Sequence, residues 1–109
     1  MTHFAHPNLD DVPLAAVLHA LAEPARLKMI ERLDADHKAG GDGLSCGAGA
    51  CEGMPRATIS NHFSVLRAAG LVEGRKQGVA VIHRLRRDEV DKRFPGLLDA
   101  VLSADEVAA

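Results

Sequence analysis

Apolar residues recur along this chain at two different periods, and the changes of period divide it into elements. Leu14, Val17, Leu18 and Leu21 fall three and four residues apart, which predicts a first amphipathic helix. Leu27, Ile30 and Leu33 predict a second, opened by Pro24 and ended by Gly40. Ile59, Phe63 and Leu66, at i, i+4 and i+7, lay a buried stripe along a third helix. Its ends are marked by Pro55, suited to a first helical position, and by Gly70, suited to a C-terminal stop. Beyond Gly70 the pattern becomes that of a hairpin. Leu71 and Val72 lead into a polar connection, Glu73-Gly74-Arg75-Lys76-Gln77-Gly78, and Val79, Val81 and Ile82 then run into His83-Arg84-Leu85-Arg86. Near the end, Val90, Phe94, Leu97, Leu98, Val101 and Leu102 share one helical face, which Pro95 divides by opening a second piece. Residues 39–53 are rich in Gly, with Leu44 the only large apolar side chain, and read as a loop running into a short or irregular helix.

The faces of the third helix away from its stripe carry Arg56, Thr58, Ser60, Asn61 and Ser64. A merely solvated helix favours Glu, Lys and Gln. Short hydrogen-bonding side chains with one Arg are instead the types that reach base edges and phosphates in a major groove. A hairpin with Arg75, Lys76 and Gln77 follows at once, where it can lie along the neighbouring phosphates. This juxtaposition predicts a mainly α protein with a small β-hairpin (α+β), a winged helix-turn-helix of about five helices that dimerises through its terminal helices. Residues 39–53 would hold the first half of the helix-turn-helix. The expected organisation is an N-terminal arm at 1–11, the winged domain with its dimerisation helix at 12–104, and a tail at 105–109.

A chain of 109 residues with 47% hydrophobic residues and neither Trp nor Tyr builds one domain with an aliphatic core. At this size a second subunit often completes the burial, and a twofold pair would match a palindromic site. The net charge of −2 alone argues against nucleic acid, so its distribution decides. Residues 55–93 hold 9 Lys/Arg against 4 Asp/Glu, a net +5, while residues 1–54 carry −4 and residues 94–109 carry −3. Positive charge therefore gathers on the third helix and hairpin. No apolar run approaches a membrane span, and the start Met1-Thr2-His3-Phe4 lacks the pattern of an export signal, so a cytoplasmic location is expected.

Residues 18–30, Leu-His-Ala-Leu-Ala-Glu-Pro-Ala-Arg-Leu-Lys-Met-Ile, resemble the first and second helices of the ArsR/SmtB family of bacterial winged-helix repressors. Residues 59–72, Ile-Ser-Asn-His-Phe-Ser-Val-Leu-Arg-Ala-Ala-Gly-Leu-Val, resemble that family's recognition helix and first wing strand. The resemblance spans residues 14–102. It implies a homodimer that binds double-stranded operator DNA, usually as a repressor, and changes affinity when an inducer binds. It also implies DNA contacts from Arg56, Thr58, Ser60, Asn61 and Ser64, with Arg75, Lys76 and Gln77 on the wing. His62 lies nearer the buried stripe than Asn61 does, so it either contacts DNA or orients the helix.

Relatives that sense arsenite or soft metals often carry Cys-x-Cys at the start of the third family helix. Here Leu44-Ser45-Cys46 keeps only the second cysteine, and the histidines of the terminal-helix zinc site have no counterpart between residues 88 and 104. Cys46 and Cys51, in flexible sequence with Gly47 and Gly49, admit three readings: inert cytosolic thiols, a redox or thiol-reactive switch, or a site for arsenite or a thiophilic metal ion. Zinc would need more ligands than two thiolates, and His3 and His6 are the candidates to complete the set. No other cofactor is indicated.

Two further classes compete. A small thiol oxidoreductase would use Cys46 and Cys51, but the spacing is not Cys-x-x-Cys and no βαβ pattern surrounds it. With no supportable triad, phosphate loop or carboxylate pair, an enzyme is not expected. A winged-helix protein-interaction module without DNA binding is the other alternative, opposed by the polar helix face and basic wing.

Overall fold

The computed structural model describes residues 6–45 and 53–108. A single 3-10 turn at Leu9–Asp11 precedes α1 (Leu14–Leu21) and α2 (Pro24–Lys38). A short strand β1 (Leu44–Ser45), α3 (Arg56–Ala68), strands β2 (Val72–Gln77) and β3 (Ala80–Leu85), then α4 (Arg87–Arg93) and α5 (Leu97–Ala108) complete the order. This is the expected α+β winged helix-turn-helix architecture, with one strand more than the hairpin.

Local chemistry sets the helix ends. Pro24 begins α2, and the Glu23 carboxylate accepts from the Ala25 and Arg26 N–H groups at 2.8 and 3.1 Å, capping two donors that the helix leaves open. Pro55 stands one position before α3 rather than within it. Gly70 ends α3 with φ +76: its N–H bonds to Arg67 O at 2.9 Å while Leu71 N–H reaches Leu66 O at 3.1 Å, a Schellman closure. Pro95 and Gly96 fall in the turn between α4 and α5, so the second piece opens at Leu97 rather than at the proline.

The wing differs most from expectation. Glu73 to Gln77 form strand rather than connection, and the turn is only Gly78-Val79, with positive φ at Gly78 alone, as in a type II′ hairpin turn. Val72 pairs with Leu85 and Gln77 with Ala80. The charges that disguised this strand are matched across it, Arg84 donating to Glu73 at 2.7 Å. Within residues 39–53, Leu44 and Ser45 form a strand that pairs with His83 and Ile82, making a three-stranded antiparallel sheet in the order β1-β3-β2, while the short helix expected there as the first half of the helix-turn-helix falls on residues 46–52, outside the described residues.

The core joins all of these elements. Val17, Met29, Ile30, Leu66, Leu71, Leu85, Val90 and Leu98 are buried, with Phe63 and Phe94 at its margins. The apolar face expected of the terminal pieces lies largely on the chain's own core, since Val90, Phe94, Leu98 and Leu102 are buried there. The large apolar side chains left exposed among the described residues are Leu14, Leu18 and Val79. An ionic cluster centres on a buried pair: Arg87 donates to the buried Asp34 at 2.8 Å and, nearer the surface, to Asp91 at 3.0 Å and to Asp99, linking α2, α4 and α5.

Candidate nucleic-acid interface

The α3 residues divide as its periodicity requires. Phe63 and Leu66 are buried and Ile59 is half-buried against the core, while Arg56, Ser60, Asn61 and Ser64 face solvent and Thr58 is half-buried. Four of the expected contact side chains on α3 thus lie on its solvent-facing surface, with Thr58 at the edge.

His62 is half-buried at the junction of α1 and α2. The Arg26 guanidinium donates to Ala20 O at 2.7 Å and His19 O at 3.2 Å, and its third contact is His62 Nδ1 at 3.4 Å. With Arg26 as donor, Nδ1 accepts and the ring proton sits on Nε2, which faces the Glu23 carboxylate at 3.8 Å. His62 therefore orients α3 against the junction of α1 and α2.

A second anchor joins α3 to the wing. His83 stacks flat on Phe63, with ring centroids 3.5 Å apart and 3° between planes, and its Nε2 lies 3.1 Å from Arg67 Nη1. Burial, and secondarily the Arg67 charge, push the His83 pKa down to about 4, so the ring is neutral near pH 7. Because Nε2 accepts, the proton belongs to Nδ1, which is buried and has no hydrogen-bond partner among the described residues. No periodicity in the sequence relates His83 to Phe63, so the stack has no signature there. The position of His83 on the inward face of a strand following Val79 and Val81 was the one available signal of its burial.

On the wing, Lys76 and Gln77 are exposed and Val79 stands fully exposed at the tip. Arg75 is half-buried and held: it donates to Asp42 O at 3.0 Å and to Asp42 Oδ2 at 2.9 Å, tying the wing to the loop after α2. Arg56 and Lys76 have no ion pair among the described residues. Cys46, Cys51 and His3 lie outside the described residues. His6 is described, and its Nε2 accepts from Gly74 N–H in β2 at 3.0 Å. No group of three or more His, Cys, Asp or Glu among the described residues is arranged to hold a metal ion.

A family model described as a helix-turn-helix domain matches residues 21–75, which run from the end of α1 into the wing. The chain belongs to the helix-turn-helix family. Among its relatives is the uncharacterized HTH-type transcriptional regulator YceK of Bacillus subtilis (strain 168), 34% identical over 93 residues that cover 84% of this chain and 89% of that protein. This helix-turn-helix family is a family of regulators rather than of enzymes. No helix among the described residues is long and apolar enough to cross a membrane.

Proposed function

We propose that this helix-turn-helix protein is a cytoplasmic, sequence-specific DNA-binding regulator of the ArsR/SmtB type, acting as a dimeric repressor. The carrying observation is the solvent face of α3, where Arg56, Ser60, Asn61 and Ser64 are exposed beside a wing presenting Lys76 and Gln77. A helix with this face enters the major groove, while the wing follows the phosphates beside it. The name of its relative YceK, a transcriptional regulator, supports the same reading. Leu14 and Leu18, four residues apart on α1 and 47% and 45% exposed, supply an apolar face for the second subunit. On this reading residues 12–104 are the winged domain, flanked by the arm and the tail. Cys46 and Cys51 are the candidate inducer site, through oxidation, arsenite or a thiophilic metal, with His3 as a further ligand; His6, the other candidate ligand, would have to give up its bond to Gly74 to join them.

The test is fluorescence anisotropy on duplexes that the protein selects from a random library. Asn61→Ala should relax base preference by roughly 1 to 3 kcal/mol, and Lys76→Ala should lower the salt slope by about 1. Arg75→Ala should change the slope less, because that side chain must first leave Asp42. Selection of no sequence, with equal binding by all three variants, would make the chain a protein-interaction module instead. Adding arsenite, cadmium or oxidant to the wild type and to Cys46→Ser/Cys51→Ser decides the sensing role: release that requires the cysteines assigns it to them.

A further inference from the structure

Residues 6–12, ahead of α1, contact both ends of the wing and its first strand. Residues 6–12 cross the molecular surface from β2 to α4 and meet the wing where it begins, along its first strand and where it ends. At the beginning, Leu9 is buried against Gly70, the glycine that closes α3; a methyl group on Gly70 would overlap Leu9 Cδ2. Along β2, the Gly74 N–H donates to His6 Nε2 at 3.0 Å. β2 is an outer strand of the sheet, so that N–H has no further strand to satisfy it. At the exit, Arg86 donates to Pro7 O at 3.0 Å. Arg93 of α4 then holds Leu9 O at 3.2 Å and Val12 O at 3.3 Å.

These contacts use a different part of each residue: a side chain packs, an imidazole accepts, and three carbonyls receive two guanidinium groups. The segment is thus fastened along its length, although only Leu9 and Val12 are buried in the core. What it crosses is the joint between α3 and the hairpin. The angle at that joint decides whether Lys76 and Gln77 reach the same duplex as the face of α3.

We propose that residues 6–12 form a strap that fixes the wing relative to α3, and that His6 is the positioning residue at the strap's wing end. This inference rests on the DNA-binding reading above. His6 itself is exposed, so replacing it leaves the core intact. His6→Ala deletes the acceptor for Gly74, whereas His6→Gln puts an amide oxygen near the place of Nε2 and can accept the same bond.

The proteins to compare are the wild type, His6→Ala, His6→Gln, Lys76→Ala and the double variant His6→Ala/Lys76→Ala. Each is measured on a duplex selected by the wild type, across a range of salt concentration, with amide exchange at Gly74 followed in the DNA-free protein. His6→Ala should bind roughly three- to tenfold more weakly, the range one hydrogen bond covers, with a shallower salt slope and faster Gly74 exchange. His6→Gln should recover most of each. On the Lys76→Ala background, removing His6 should add little, because the same wing contact is already lost. Wild-type affinity and salt slope in His6→Ala would overturn the strap's role while leaving the DNA-binding reading in place, and so would a loss that adds fully to that of Lys76→Ala. Failure of the wild type to select any duplex would overturn the DNA-binding reading itself; unchanged Gly74 exchange in His6→Ala would then overturn the strap as well.

Discussion

His83 joins α3 to the wing through one buried ring. It is buried, neutral and stacked on Phe63, with a pKa near 4 against an ordinary value of 6.5. The unfolded chain therefore binds a proton here between about pH 6.5 and 4 that the folded chain refuses. Stability from this residue is intact above pH 6.5 and falls as pH drops through that window. The slope is about 1.4 kcal/mol per pH unit and the total is on the order of 3 kcal/mol. Urea unfolding of the wild type and His83→Gln across that range checks it: the difference between the two curves should shrink on acidification, and a constant difference would mean that the ring is solvated. The same ring explains why sequence alone under-describes the site. The exposed polar residues of α3 could be read from the sequence because helical spacing separates them from Ile59, Phe63 and Leu66. No spacing relates Phe63 to His83, or Arg75 to Asp42, because those pairs meet only after the sheet has formed.

Elements with a single strong period were legible and elements whose polarity is settled by a neighbour were not. The bounds of α1 and α2, and the break between α4 and α5, followed from apolar spacing with Pro24, Gly40 and Pro95 as punctuation. β2 was hidden because Glu73-Gly74-Arg75-Lys76-Gln77 looks like a solvated connection until Arg84 and Asp42 neutralise two of its charges. β1 was hidden because two residues carry no period at all. Gly70 shows how closely the joint between α3 and the wing is packed. It holds φ +76 and sits against Leu9, so Gly70→Ala adds an unfavourable backbone conformation to a steric overlap. A loss of about 2 to 3 kcal/mol is expected in denaturant unfolding. Gly78→Ala is the control: its positive φ is similar, but nothing crowds the added methyl group, so its loss should be the smaller.

Across the whole molecule, one cation stands where three helices meet. Arg87 engages Asp34, Asp91 and Asp99, and both Arg87 and Asp34 are buried, so the cluster fastens the C-terminal helices to α2 without using any residue of α3. Asp34→Ala should lower stability by about 3 kcal/mol, the lower end for breaking a buried pair, because Asp91 and Asp99 remain. Its salt slope for DNA should match that of the wild type, and thermal unfolding no different from wild type would credit the joint to apolar packing alone. Arg26 has a longer reach. It grips the last carbonyls of α1 with two nitrogens and His62 of α3 with a third, so one side chain couples the helix that bears Leu14 and Leu18 to the helix that bears Asn61. Two subunits that met through α1 would then work as a caliper: the gap between their reading helices is set by how the α1 pair sits, and any agent that tilts that pair changes the length of DNA the jaws fit.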